Sequence, residues 1–188
     1  MADRNGVDRQ KDHWERTYTD NPHMYGAGPS EPGRYAIELL TREGSQELLE
    51  LGAGQGRDTL VFLESGFRVT ALDYEGASLR VLHDEAVNRG LGDGLDVLAH
   101  DVREPLPFPD ATFDAVYSHM LFNMALSTAE LEALADNVRR VLRPEGLNVY
   151  TVRHVGDPHF GAGISRGDGM FEMAASSSIF SAGRSSNA

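Results

Sequence analysis

Cysteine is absent from the 188 residues. That one absence excludes disulfides, thiolate-ligated zinc, iron–sulfur clusters and a thiol nucleophile. Basic residues are scarce as well: 17 Lys and Arg stand against 29 Asp and Glu, a formal net charge of -12. A surface this acidic repels phosphate backbones and anionic lipid, so nucleic acid and membranes are disfavoured as partners. No apolar run approaches membrane-spanning length. The start, Met1-Ala-Asp-Arg-Asn-Gly6, lacks the apolar core of a secretory leader, and the expected location is the cytoplasm.

What is present is enough for one domain: 40% of the residues are hydrophobic. Residues 1–33 are polar and rich in Gly, Pro, Asp and Asn, punctuated by Trp14, Tyr18 and Tyr25, and read as an arm docked on a domain spanning 34–173. From there strand and helix signals alternate, the pattern of a parallel α/β sheet. A short helix is expected over Arg34–Thr41, strands over Glu47–Leu51, Phe67–Leu72, Leu95–Ala99, Thr112–Ser118 and Leu147–Arg153, and helices over Arg57–Ser65 and Ala77–Arg89. The clearest helix is Ser127–Leu142. Ser127 and Glu130 have capping-box spacing, Leu131, Leu134, Val138, Val141 and Leu142 share a face, and Pro144 and Gly146 stop it. After Met173 the chain turns serine-rich, and 174–188 reads as a flexible tail.

The chemistry centres on Glu50-Leu-Gly-Ala-Gly-Gln-Gly56. Gly52, Gly54 and Gly56 stand between a strand and a helix, where glycine permits a tight turn and lets a ligand lie against bare backbone. A dinucleotide fingerprint would need its third glycine at the position of Arg57, one residue later. Asp73 stands 17 residues beyond Gly56 at the end of the second strand, where a carboxylate can accept from both ribose hydroxyls. Alone it would read as a solvated strand-end aspartate.

This loop resembles motif I of the class I S-adenosylmethionine-dependent methyltransferases. Three further stretches resemble the family in the same order: His100-Asp-Val-Arg-Glu-Pro-Leu-Pro-Phe108, the Leu106–Asp114 run into strand four, and Val141-Leu-Arg-Pro-Glu-Gly146. Trp14–Tyr18, Met24-Tyr-Gly26 and Pro29-Ser30 are similar to the segment that folds over the cofactor in the tellurite-resistance and ubiquinone-biosynthesis branches. The resemblance implies a Rossmann-like, doubly wound, mainly parallel sheet flanked by helices. It also implies S-adenosylmethionine as cofactor, S-adenosylhomocysteine as product and a small molecule as methyl acceptor. The implied cofactor set is Glu50, Gly52, Ala53, Gly54, Gly56, Asp73, Tyr74, Asp101, Val102 and Ser118, with Asp101 and Val102 on the adenine.

Acceptors in such sheets lie beyond the carboxyl ends of the strands. His119 leaves strand four there and His154 leaves strand five, so both are candidates for contacting the acceptor or acting as base. A packed histidine bonded to backbone is the plainer alternative for each. His154, Asp157 and His159 fit no zinc spacing, and no metal is expected.

Relatives with this fold continue past strand five with a helix and two strands, roughly 40 to 60 residues at ordinary element lengths. The expected fold is therefore a C-terminally shortened one. Strand five would be left as an exposed edge suited to pairing two copies as a homodimer. Ala174–Phe180 can be encoded so that a shifted frame reads as a strand-like Gly-Phe-Ile-Val-His-Phe, which makes a frame change one origin for the tail. The rival to an active enzyme is a shortened S-adenosylmethionine-binding protein without turnover, acting as subunit or scaffold. An oxidoreductase is third, opposed by the early third glycine.

Overall fold

The computed structural model describes residues 16–17, 28–153, 156, 162, 164–173 and 178–181. Expectations that fall on Trp14, Tyr18, Met24, Tyr25, Gly26, His154, Asp157 and His159 lie outside the described residues.

Helix α1 (Glu31–Arg42) starts three residues before the expected Arg34. Ser30 is its N-cap, accepting from the Gly33 N–H, and a proline occupies the first turn, where its missing N–H costs nothing. Gly33, Ala36 and Leu40 form its buried face. Next come β1 (Glu47–Leu51), α2 (Thr59–Glu64), β2 (Arg68–Asp73), α3 (Gly76–Asn88), β3 (Leu95–Ala99) and β4 (Phe113–Ser118). They are followed by α4 (Thr128–Val141) and β5 (Leu142–Tyr150). The capping box of Ser127 and Glu130 is present at the start of α4.

All four neighbouring strand pairs are parallel, in the order β3-β2-β1-β4-β5. This is the doubly wound α/β sheet implied by the sequence. Alternation along β1 sends Leu48 to one face, where Ala36, Leu40, Phe62, Leu79 and Leu82 cover it. Leu49 and Leu51 go to the other, against Leu134, Val138 and Val141 of α4. Helices α1–α3 thus cover one face and α4 the other. Because β1 is central and covered on both sides, Leu48 to Leu51 are all buried, Glu50 included.

The end of α4 differs from expectation. No loop separates α4 from β5; the strand begins at Leu142, pairs with Phe113, and then jumps register so that Leu147 pairs with Ala115. Residues 143–146, with Glu145 at φ 65°, bulge out between those pairs. The regular register therefore starts at Leu147, where the hydrophobic pattern resumes. Among the described residues no strand pairs with the outer edge of β5, and Tyr150 and Val152 are exposed there.

Beyond β5 the sequence reading placed no strand, yet three are present: β6 (Ile164–Gly167), β7 (Met170–Met173) and β8 (Ser178–Ser181), an antiparallel sheet in that order. β8 lies inside the serine-rich stretch, so that part of it is strand-paired. Asp168, in the turn between β6 and β7, accepts from the N–H and hydroxyl of Thr128, which ties the small sheet to the start of α4.

Candidate functional site

The strand order reverses between β1 and β4, and the crevice beyond their carboxyl ends is where such sheets bind ligands. A cleft of about 850 Å³, counting space open to solvent, lies there. Glu50, Gly52 and Ala53 line it from the end of β1 and its loop, and Asp73 and Tyr74 from the end of β2. Arg57 and Asp58 border it from the start of α2, and His119, Met120, Leu121 and Met124 from the segment after β4.

Each carboxylate here is buried and held. Asp73 accepts from the Gly54 N–H and from the Glu75 N–H, both at 2.9 Å, so it fastens the glycine loop to the end of β2. Burial raises its pKa above the ordinary aspartate value despite those two bonds. Glu50 accepts from the Thr59 hydroxyl at 2.5 Å. Burial pushes its carboxyl up to about 8, the Thr59 bond opposing and the nearby Asp58 and Asp73 adding to the rise. Asp58 accepts from the Ser30 N–H (2.6 Å), the Ser30 hydroxyl (2.8 Å) and the Tyr117 hydroxyl (2.7 Å). Burial likewise drives the Tyr117 phenol upward. Gly33 permits the approach of Asp58 to the N-terminus of α1: a methyl group there would stand 2.6 Å from Asp58 Oδ1.

The sequence-predicted residues divide. Glu50, Gly52, Ala53, Asp73, Tyr74 and His119 come together in the lining. Gly52 has φ 77°, a conformation that favours glycine, and its bare backbone faces Leu121. Gly54 acts through its N–H on Asp73. Gly56, at φ 83°, is a packing glycine, since a side chain there would overlap Leu82. Asp101 and Val102 are not in the lining; the Asp101 carboxylate is paired with Arg103, which holds it below its ordinary value against the opposing effect of burial. Ser118 is fully buried, and its carbonyl accepts from the Thr151 N–H.

His119 is half-buried, and burial, helped by the Arg57 charge and opposed by Asp58, lowers its pKa. Its Nδ1 lies 2.9 Å from the Thr151 hydroxyl, which also accepts from the Met120 N–H. Met120 takes a left-handed backbone (φ 67°) to make this turn off β4. Nε2 is the nitrogen left for a ligand.

Sequence reasoning missed Arg57, Asp58, Thr59, Tyr117 and Thr151 as site residues. Arg57 and Asp58 directly follow the last glycine, where the sequence pattern marks only the start of a helix. Tyr117 and Thr151 gave no signal, since each matters only through a partner far away in the chain.

A doubly wound parallel sheet with a glycine loop at its switch point and an acidic end on the neighbouring strand defines a Rossmann-like domain. The methyltransferase-domain family model matches residues 48–146, more than half of the chain, and the chain belongs to that family. It is 31% identical over 101 residues to the ubiquinone/menaquinone biosynthesis C-methyltransferase UbiE of Brucella anthropi, covering 52% of this chain and 37% of that one. The solved glycopeptide N-methyltransferase MtfA, complexed with S-adenosylmethionine, is 28% identical with a TM-score of 0.53, over 63% of this chain and 54% of that one. TehB of Haemophilus influenzae shares the fold at 18% identity and a TM-score of 0.57, over 64% of this chain and 41% of that one. The chain spans less than half the length of the curated relatives it matches. Among the described residues no helix is long and apolar enough to cross a membrane.

Proposed function

We propose that the domain binds S-adenosylmethionine in this cleft and catalyses transfer of its methyl group to a small-molecule acceptor. One observation carries the reading: the Gly52–Ala53 backbone and the Asp73 carboxylate, from different strands, line one cleft together with His119. A bare-backbone wall fits a flat nucleoside, and a strand-end carboxylate with lone pairs to spare fits ribose hydroxyls.

The sulfonium group of the cofactor supplies a methyl carbon already activated for in-line displacement. The chain's own residues then have to align and to exclude water, with no covalent nucleophile required. Asp73 grips the sugar while its bond to Gly54 holds the loop in shape. Asp58 and Asp73 give the cleft an acidic side suited to a cationic ligand, while Glu50 keeps its proton near neutral pH. His119 contacts the acceptor through Nε2 and takes its proton where the acceptor must lose one.

Calorimetry with S-adenosylmethionine and S-adenosylhomocysteine, with NAD as control, tests the cofactor. Both adenosyl compounds should bind and NAD should not; the reverse pattern overturns the proposal. Incubation with a panel of small hydroxyl, amine and carbon acceptors should then yield S-adenosylhomocysteine. Binding without product from any acceptor would favour the non-catalytic reading.

A further inference from the structure

We propose that Arg57 is a carboxylate clamp, its guanidinium holding a carboxylate of the ligand in the cleft. The inference rests on the reading that the cleft takes S-adenosylmethionine and an acceptor.

Arg57 follows the last glycine of the loop, lines the cleft and is half-buried. Its Nε donates to the Gly28 carbonyl at 2.9 Å, which fixes the stem and the plane of the guanidinium. That bond leaves both terminal nitrogens without a partner among the described residues. Three carboxylates share the lining, Glu50, Asp58 and Asp73, yet Arg57 pairs with none of them. Each is bound elsewhere: Glu50 by Thr59, Asp58 by Ser30 and Tyr117, Asp73 by backbone N–H groups. An arginine beside acidic groups that are already occupied keeps its planar fork for something that enters. The fork matches a carboxylate bidentately, and partial burial strengthens the pairing.

Charge complementarity points the same way. The acidic side of the cleft suits the sulfonium and ammonium of an amino-acid cofactor, whose single anion then needs a cation. Arg57 is the only cationic side chain in the described lining. It shares the lining with His119, so a carboxylate on the acceptor is the second source of the same chemistry.

The test compares the full chain with Arg57→Gln and Arg57→Lys, with melting temperature as a check on folding. Calorimetry uses three probes: S-adenosylhomocysteine, its decarboxylated analogue, and benzoate titrated into protein saturated with S-adenosylhomocysteine. Arg57→Gln should weaken S-adenosylhomocysteine about tenfold or more, the scale of a charge-assisted bond, and leave the decarboxylated analogue unchanged. Arg57→Lys, with the charge but no fork, should fall between. That pattern assigns the clamp to the cofactor. Loss of benzoate alone assigns it to the acceptor. Equal weakening of both nucleosides, or no change in any probe, overturns the clamp and leaves the cofactor reading standing. A wild-type chain that binds neither nucleoside overturns both.

Discussion

The Tyr117 hydroxyl donates to Asp58 at 2.7 Å inside the protein, and the same carboxylate oxygen takes the Ser30 hydroxyl at 2.8 Å. Three parts of the chain meet there: the cap of α1, the start of α2 and the core of β4. Removing the carboxylate leaves several buried donors unsatisfied at once. Asp58→Ala should therefore cost at least about 1–3 kcal/mol of stability, while Tyr117→Phe, which deletes one donor, should cost about 0.5–1.5 kcal/mol. Urea denaturation of the two variants checks the ranking. Equal losses would mean that the carboxylate is not the joint.

Asp73 should matter twice. Asp73→Ala should remove the proposed grip on the ribose and also frees the Gly54 N–H, so affinity for S-adenosylhomocysteine should drop by about 1–3 kcal/mol. Calorimetry reads this directly. An unaltered dissociation constant would show that the sugar is held by other groups.

Glu50 makes stability depend on pH with a definite sign. Its folded value of about 8 lies above the ordinary 4.5, so between those values the folded protein keeps a proton that the unfolded chain has released. Stability is full below that window, falls on the order of a few kcal/mol as pH rises through it, and levels off above. Asp73 acts in the same direction. Glu75, Asp101 and Asp114, whose values are lowered, contribute below the window and do not mask the trend. Thermal melts from pH 5 to 9 should show the decline in the wild type and a shallower one in Glu50→Gln. Parallel slopes would refute it.

The Thr151 hydroxyl determines what His119 can do. If Nδ1–H donates to Thr151, the Nε2 lone pair is free as a base; if Thr151 donates instead, Nε2 carries the proton and only donates. Thr151→Val removes this control. Turnover should fall while cofactor affinity holds, and the pH profile should keep a midpoint below 6.5, the ordinary histidine value from which burial lowers His119. His119→Ala should slow the rate further. Wild-type kinetics in both variants would take His119 out of the reaction.

The sheet was readable because β-strands and helices announce themselves through period and punctuation. Glu47–Leu51 ended in glycines, Ser127 and Glu130 capped a helix, and both appeared as expected. That the glycine loop and Asp73 would meet at one cleft was readable because a strand end and the turn that follows it are fixed by position along the chain. The Asp58 joint was not, because Ser30 and Tyr117 lie 28 and 59 residues away and only folding brings them together. Nor did Asp101 announce its partner: Arg103 is two residues on, close enough to compete for any carboxylate it could offer a ligand. The small sheet went unseen because Ser178–Ser181 lacks the alternating pattern that marks a strand.

Gly33 has a reach beyond its size. Because no side chain fits between the first turn of α1 and Asp58, α1 and the start of α2 cannot slide past one another without breaking the seat between them. The seating of α1 and the wall of the cleft thus share one residue, Asp58.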